Sequence, residues 1–177
     1  MRRGLRGLTL LECLVALALT AVCLSLALPA WRDTLQAQRV RAASAALHDG
    51  LRLARLEARR NARELRLCPS ADGWTCQAPA RWEQGWVLLD AKASPGTGPV
   101  LVQGPLPGVR IEASVPLAHG AAFDAGGWPR QPGGALLMGR WRICPLGGGR
   151  GPQDGRELVL AAGGRVREQP VSCADTG

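Results

Sequence analysis

The stretch Arg6-Gly7-Leu8-Thr9-Leu10-Leu11-Glu12 runs directly into an uncharged, mostly apolar segment over residues 13–31. Hydrocarbon does not solvate charge, so a carboxylate at the start of such a segment is costly and usually requires a partner. A helix needs about 20 apolar residues to cross a membrane, and this segment has that length. We therefore predict that residues 8–31 form a membrane-spanning helix with Glu12 near its start.

The same segment has two competing interpretations. Basic residues before an apolar core are typical of a secretory signal peptide, and Ser25-Leu26-Ala27 would serve as its cleavage site. That interpretation places Glu12 at the start of the apolar core, where charge is disfavoured. The other alternative is a plain single-span anchor. If residues 8–31 form a membrane-spanning helix or a plain anchor, the arginines of residues 1–7 hold the amino terminus in the cytoplasm.

The helical pattern continues beyond the apolar segment to about Asn61. We predict that Pro29 interrupts it, because proline removes one backbone hydrogen bond and kinks a helix locally. Beyond Pro29, apolar residues recur at spacings of three and four, which indicates one stripe that faces a domain. The members of that stripe are Val40, Ala43, Leu47, Leu51, Ala54 and Ala58. At about 1.5 Å per residue such a helix spans roughly 80 Å, which suits a filament subunit better than a compact domain.

A second stripe of the predicted helix is basic. Its members are Arg52, Arg55, Arg59 and Arg63. One interpretation is a solvated helix face, and the other is a docking surface for a partner subunit or an anionic polymer. The sequence leaves both open.

After Asn61 the pattern changes to short apolar runs separated by glycine and proline. We predict strands over residues 86–89, 100–102, 109–111, 135–143 and 157–160. The predicted fold is α+β, with a long N-terminal helix packed on an antiparallel β-sheet domain. The predicted segments are a leader over residues 1–7, a filament-core helix over 8–31, its amphipathic continuation over 32–62 and a β-rich domain over 63–177.

Composition allows one modest domain beyond the apolar segment, since roughly 145 of the 177 residues remain. The formal net charge of the chain is +8. Without the three leader arginines it has 19 basic against 14 acidic residues, a net charge of +5. Its only lysine is Lys92. Arginine favours phosphate and carboxylate partners, but a GC-rich coding bias gives the same composition, so charge alone is weak support for nucleic acid.

Four of the six cysteines lie outside the apolar segment. An even number in a domain that reaches an oxidising compartment indicates two disulfides, and three pairings are possible. We favour Cys68–Cys76 and Cys144–Cys173. The histidines stand beside no cysteine and the spacing matches no zinc site, so no metal is expected. No catalytic motif or cofactor-binding motif is present either, and we predict neither an enzyme nor a cofactor.

These residues resemble a known superfamily. The string Gly7-Leu8-Thr9-Leu10-Leu11-Glu12 is similar to the class III signal of type IV pilins and pseudopilins. Residues 67–70, 76 and 82–87 resemble the GspH/FimT family of minor pilins and pseudopilins. The late Gly164-Arg165-Val166-Arg167 is similar to that family's C-terminal glycine-arginine-x-arginine signature.

The resemblance implies a life cycle. A prepilin peptidase would cut between Gly7 and Leu8, the new amine on Leu8 would be methylated, and Glu12 would guide assembly with other pilins. The protein would start in the bacterial inner membrane, with its C-terminal domain in the periplasm, and then join a pilus or a pseudopilus. Leu8 departs from the Phe or Met that pilins mostly carry at this position.

The resemblance also implies two functional contexts. FimT-like minor pilins belong to type IV pili, and some bind double-stranded DNA during natural transformation through the C-terminal arginine motif. GspH-like members are minor pseudopilins of type II secretion systems, with a structural role and no DNA binding. We favour the first, with the second as the alternative.

The arginine motif has a physical rationale of its own. If residues 164–168 are extended, alternation turns Val166 inward and places Arg165 and Arg167 outward, about 7 Å apart. Guanidinium groups match phosphate oxygens in a bidentate way, and Gly164 with its neighbour Gly163 permits a tight turn. Weaker candidates for the same patch are Arg140, Arg142, Arg150 and Arg156. The alternative is a solvated sheet face whose arginines pair with Glu157 and Glu168.

Overall fold

A computed structural model describes residues 10–77, 81–92, 94, 96–131, 133–148 and 151–173. The chain divides into two compact units, Met1–Gln36 and Ala37–Gly177. The predicted cleavage residues Gly7 and Leu8, and Arg150 of the predicted patch, lie outside the described residues.

Helix α1 extends over Leu10–Arg60. Pro29 does not break the helix, because helical conformation continues through that residue; the local kink stays a prediction. Proline removes only one backbone hydrogen bond, and the flanking turns supply the rest. Within the described residues, no helix is long and apolar enough to cross a membrane.

In the first unit the described surface of α1 is exposed. Every side chain described between residues 10 and 35 is exposed. Leucines dominate this surface; Leu10 is 81 % and Leu17 67 % exposed.

In the second unit the predicted apolar stripe of α1 is buried. All six of its members have 2 % exposure or less. They share one hydrophobic core with residues from both sheets, among them Trp86 and Trp141, and with Trp82 of the short 3-10 helix Trp82–Gln84. The rings of Trp82 and Trp141 meet edge to face with centroids 5.5 Å apart, a favourable arrangement for aromatic pairs.

The strands form two antiparallel sheets. The first has five strands in the order β3-β2-β1-β5-β6, which are Leu101–Gln103, Trp86–Asp90, Leu65–Pro69, Ala121–Phe123 and Pro129–Arg130. The second has four in the order β4-β7-β8-β9, which are Val109–Ala113, Gly139–Pro145, Gly155–Leu160 and Val166–Val171. The predicted α+β architecture is confirmed, with two sheets in place of one.

The predicted strand over residues 135–143 is wrong in its first half. Leu136 forms an isolated bridge with Arg130 of the first sheet, and β7 of the second sheet begins only at Gly139. Residues 137 and 138 between these two points are not in strand conformation, and the chain changes sheets there.

Two disulfides hold the ends of the sheet domain, and both are the favoured pairs. Cys68–Cys76 closes a loop with a sequence separation of 8, and Cys144–Cys173 links β7 to the segment after β9 with a separation of 29. Among the described residues no group of His, Cys, Asp or Glu has the arrangement of a metal site.

Candidate nucleic-acid interface

The arginine motif lies at the hairpin between β8 and β9. The hairpin closes through two backbone hydrogen bonds, from Ala161 N to the Arg165 carbonyl at 2.9 Å and from Gly164 N to the Ala161 carbonyl at 2.8 Å. Gly164 has a φ of +74°, which favours glycine. Arg165 and Arg167 are exposed, whereas Val166 is half-buried and packs against the core. The exposure pattern of the motif is thus the alternation expected from an extended chain.

Neither motif arginine is paired with an acid of the described residues. Within the described part of the chain, the guanidinium groups of Arg165 and Arg167 have no hydrogen-bond or ion-pair partner. Glu168, which the sequence offered as a partner, instead lies with its Oε1 3.2 Å from Arg156 Nε. Both motif arginines therefore remain available to an anion.

The backbone of Gly164 is approached closely by the protein itself. Arg55 Nη1 donates a 2.8 Å hydrogen bond to the Gly164 carbonyl, and Gly164 is buried. A Cβ atom built on Gly164 would lie 3.1 Å from Arg55 Cζ and 3.1 Å from the Gly127 carbonyl oxygen. Glycine at this position therefore serves the packing of the hairpin on α1, while Gly163 is the exposed residue of the turn.

This packing creates a groove between α1 and the hairpin, which we call the arginine groove. Its volume is about 290 Å³, and its lining residues are His48, Leu51, Arg52, Arg55, Gly164, Arg165 and Val166. Three of these are arginines, and none of the described lining residues is acidic. Leu51 and Val166 contribute an apolar floor, because each is also packed in or against the core.

His48 of α1 also lines this groove. Its Nδ1 lies 3.6 Å from Asp49 Oδ1, and the Asp49 side chain is 76 % exposed. Asp49 is thus an acidic neighbour at the rim, without lining the groove itself.

The weaker candidates lie on both faces of the second sheet. Arg140 and Arg142, two residues apart on β7, share one face, and Arg156 is on the other. Directly opposite residues of antiparallel strands share a face, and Arg140, Val159 and Arg167 form one such row. Arg142 lies in the neighbouring row, between Glu112 and Glu157.

Two of these candidates are partly neutralised. Arg140 Nε is 3.7 Å from Glu157 Oε2, and Glu157 is almost fully buried. Arg156 projects from the opposite face, where it pairs with Glu168. The five described arginines of the predicted patch therefore do not form one continuous surface.

The predicted basic stripe is not a uniform solvated helix face, and its last member, Arg63, lies beyond the end of α1. Arg52 and Arg59 are exposed, Arg55 is half-buried under the hairpin, and Arg63 Nη1 bonds Asp90 Oδ2 at 2.9 Å. The sequence shows the spacing of these arginines but contains no signal that the turn at Gly164, 109 residues from Arg55, meets them. Sequence reasoning therefore missed Arg52, Arg55 and His48 as neighbours of Arg165.

Comparisons with known proteins agree with this architecture. Residues 43–164 match the family model described as "Type II transport protein GspH", and residues 2–28 match the "Prokaryotic N-terminal methylation motif". The latter implies processing by a prepilin peptidase and assembly with other pilins. A search of curated proteins finds no match.

Solved structures show the same fold. The type IV minor pilin FimU of Pseudomonas aeruginosa (strain PAO1) is similar in two crystal forms, with TM-scores of 0.58 and 0.56 and identities of 19 % and 20 %. These matches cover 75 % and 74 % of this chain and 90 % and 93 % of FimU. The minor pseudopilin EpsH from the type 2 secretion system of Vibrio cholerae has a TM-score of 0.52 and 12 % identity, over 75 % of this chain and 97 % of EpsH.

These relatives are pilins and pseudopilins, which are structural subunits and not enzymes. The GspH match covers well over half of the chain, and the methylation motif precedes it as in proteins of this kind. The chain belongs to the GspH family of minor pilins and pseudopilins.

Proposed function

We propose that this protein is a FimT-like minor pilin of a type IV pilus, which acts in pilus assembly and binds double-stranded DNA through Arg165 and Arg167. The observation that carries the DNA-binding part is the presentation of these two exposed, unneutralised guanidinium groups on either side of the anchored Val166. The hairpin that holds them is fixed by Gly164 and Arg55. A hairpin backbone that is held in place loses less conformational entropy on binding an anion than a mobile one does.

The assembly role rests on the amino-terminal segment. A prepilin peptidase removes residues 1–7, and Leu8 becomes the methylated amino terminus. Residues 8–31 lie first in the bacterial inner membrane, with the compact second unit in the periplasm, and then in the core of the filament. The exposed leucines of α1 in the first unit support this role, since an apolar helix surface of that extent needs cover from lipid or other subunits.

Glu12 provides register in this assembly. Its carboxylate accepts the amine of a neighbouring pilin, and the resulting pair offsets the cost of placing either charge in an apolar filament core. The segment that carries Glu12 matches the methylation motif.

Binding of DNA through this motif is electrostatic and independent of base sequence. Arg165 and Arg167 contact phosphate oxygens, which position a protein on DNA without reading bases. Arg140 and Arg142 add weaker positive charge on the face that Arg167 shares. Affinity then falls as salt rises, because each neutralised phosphate releases counterions.

The test is a gel-shift titration of the full-length protein, purified in a neutral detergent, with duplex DNA at two salt concentrations. We expect binding that weakens with salt and is lost in the Arg165→Gln/Arg167→Gln variant. The matched control is Arg32→Gln/Arg60→Gln, which removes the same charge from two exposed positions of α1 and should retain binding. Absence of binding at low salt, or equal loss in both variants, contradicts the DNA-binding role.

A second candidate function is that of a GspH-like minor pseudopilin with a structural role in a type II secretion system. The ion pairs of Arg140 with Glu157 and of Arg156 with Glu168 favour it, because they reduce the positive charge that the C-terminal strands offer to DNA. This candidate predicts that the full-length protein fails to shift DNA and that deletion of its gene impairs secretion without affecting pili.

A further inference from the structure

One wall of the arginine groove is formed by α1. The residues of this wall lie outside the C-terminal motif. We propose that Arg52 of α1 and Arg165 of the hairpin, on opposite walls of this groove, clamp one phosphodiester of the DNA backbone between them. This inference rests on the proposed DNA-binding function and extends its site from the last hairpin to the N-terminal helix.

The two walls are held at a fixed separation by Arg55. Its Nη1 bonds the Gly164 carbonyl at 2.8 Å, immediately before Arg165 in the chain. Arg52 lies three residues from Arg55 on the same helix, and residues three apart are neighbours on a helix surface. The position of Arg165 relative to Arg52 is therefore set by a direct contact between the two elements.

Arg55 also contributes positive charge to the groove. It lines the groove beside Arg52, while its Nε is buried and has no hydrogen-bond partner within the described part of the chain. Because that atom is inaccessible, a phosphate in the groove is attracted by the charge of this guanidinium and does not bond Nε. Arg55 acts as a positioning residue for Arg165 through its bond to the Gly164 carbonyl.

The chemistry of the lining selects the ligand class. Three guanidinium groups without a lining acid favour an anion with several oxygens, and guanidinium forks match phosphate in a bidentate way. The apolar floor of Leu51 and Val166 suits the sugar beside a backbone phosphate. Arg167 lies two residues beyond Arg165 in extended chain, about 7 Å further along, where it reaches the continuing backbone.

The experiment measures the affinity of the full-length protein in neutral detergent for a short fluorescent duplex over a series of salt concentrations. We expect Arg52→Gln to weaken binding roughly fivefold and to lower the slope of log Kd against log salt by about 1. The control Arg60→Gln removes the same charge from an exposed position of α1 outside the groove and should leave both quantities nearly unchanged. Circular dichroism checks that each variant remains folded.

A double-mutant cycle tests whether Arg52 and Arg165 hold the same phosphate. Residues that share a ligand group couple, so the Arg52→Gln/Arg165→Gln variant should lose clearly less affinity than the product of the two single losses. The Arg60→Gln/Arg165→Gln pair should show simple multiplication. Multiplicative behaviour of the Arg52 pair overturns the shared phosphate.

The outcomes separate this inference from the proposed function. If Arg165→Gln/Arg167→Gln loses binding while Arg52→Gln behaves like Arg60→Gln, the helix contribution is wrong and the DNA-binding function stands. If the unmodified protein does not bind DNA, both fall. If Arg52 is needed for binding to phosphatidylglycerol vesicles and not to DNA, the groove belongs to a membrane contact and the inference is overturned.

Discussion

The two parts of α1 differ in the exposure of their leucine side chains. Leu17, in the first unit, is 67 % exposed, whereas Leu47 and Leu51, in the second unit, have 0 % and 1 % exposure. The second part covers its apolar stripe with two sheets of its own chain. The first part receives no such cover within the described residues, although its sequence is more apolar.

We interpret this difference as a division of roles along α1: the second part contributes to folding and the first part to assembly. Burial of leucine stabilises a fold by about 1.5–3 kcal/mol per side chain relative to exposure, so the second part contributes to the stability of its own unit. In the proposed assembly, the leucines of the first part gain that energy from lipid or from other subunits. Substitutions in the two parts should therefore affect different measurements.

The largest expected effect concerns Glu12. Glu12→Ala removes the carboxylate that we propose to receive a neighbouring subunit's amine, so the protein should still be processed but should be lost from sheared pilus fractions. The measurement is immunoblotting of pilus and membrane fractions. Glu57→Ala, in the second part of α1, is the matched control and should be incorporated normally. Normal incorporation of Glu12→Ala would refute the assembly mechanism.

The next effect compares leucines directly. Leu51→Ala should lower the free energy of unfolding by about 2–5 kcal/mol, because it removes a buried side chain and leaves a cavity. Leu17→Ala should leave the unfolding midpoint of the second unit unchanged, because its side chain has no part in that core. Urea unfolding of the full-length protein in neutral detergent, followed by near-ultraviolet circular dichroism of the buried tryptophans, measures both. A comparable loss in Leu17→Ala would contradict the division.

Much of the fold follows from local pattern. The apolar stripe of α1 was predictable because its spacing alone defines the buried face. Strand β2 was predictable because its residues form one continuous apolar run with a turn on either side. The pairing of Cys144 with Cys173 was one of three open possibilities, and we favoured it because it ties the last strands together.

The parts that escaped prediction depend on contacts between distant residues. Strand β1 was missed although it lies at the centre of the first sheet, because its Leu65-Arg66-Leu67 alternation is short and directly follows the helix. Strand β6 has only two residues and is defined by its pairing with β5. The arginine groove exists because Arg55 meets Gly164, and no periodicity in the sequence encodes that meeting.

A smaller effect compares two neighbouring arginines on the second part of α1. Arg55→Gln should lower the free energy of unfolding by about 1–3 kcal/mol, because it breaks a hydrogen bond from a charged group to the Gly164 carbonyl. Arg52→Gln should change it by no more than about 0.5 kcal/mol, since Arg52 is exposed. Urea unfolding of both variants tests this ordering. Equal stability of the two would show that the Arg55 contact does not hold the hairpin.

The smallest effect concerns an exposed loop of the second unit. Asp72 lies inside the loop closed by Cys68–Cys76, where Thr75 Oγ1 donates to Asp72 Oδ2 at 2.6 Å and the backbone N–H groups of Trp74 and Thr75 donate to Oδ1. These bonds favour the ionised carboxylate, with the Thr75 hydroxyl as the largest cause, and hold the pKa of Asp72 well below its ordinary value of 3.8.

The sign of the resulting pH dependence follows from linkage. A carboxyl whose pKa is lowered by folding adds stability above its ordinary pKa and loses that contribution as the pH falls through the folded-state value. The difference in stability between the natural protein and Asp72→Asn should therefore be constant near neutral pH and should shrink only below about 3.8. Denaturant unfolding of both proteins at a series of pH values measures this difference. A difference that disappears well above that pH would show that the loop does not hold Asp72 ionised. The hydrogen bonds of this loop would then contribute nothing to the stability of the second unit.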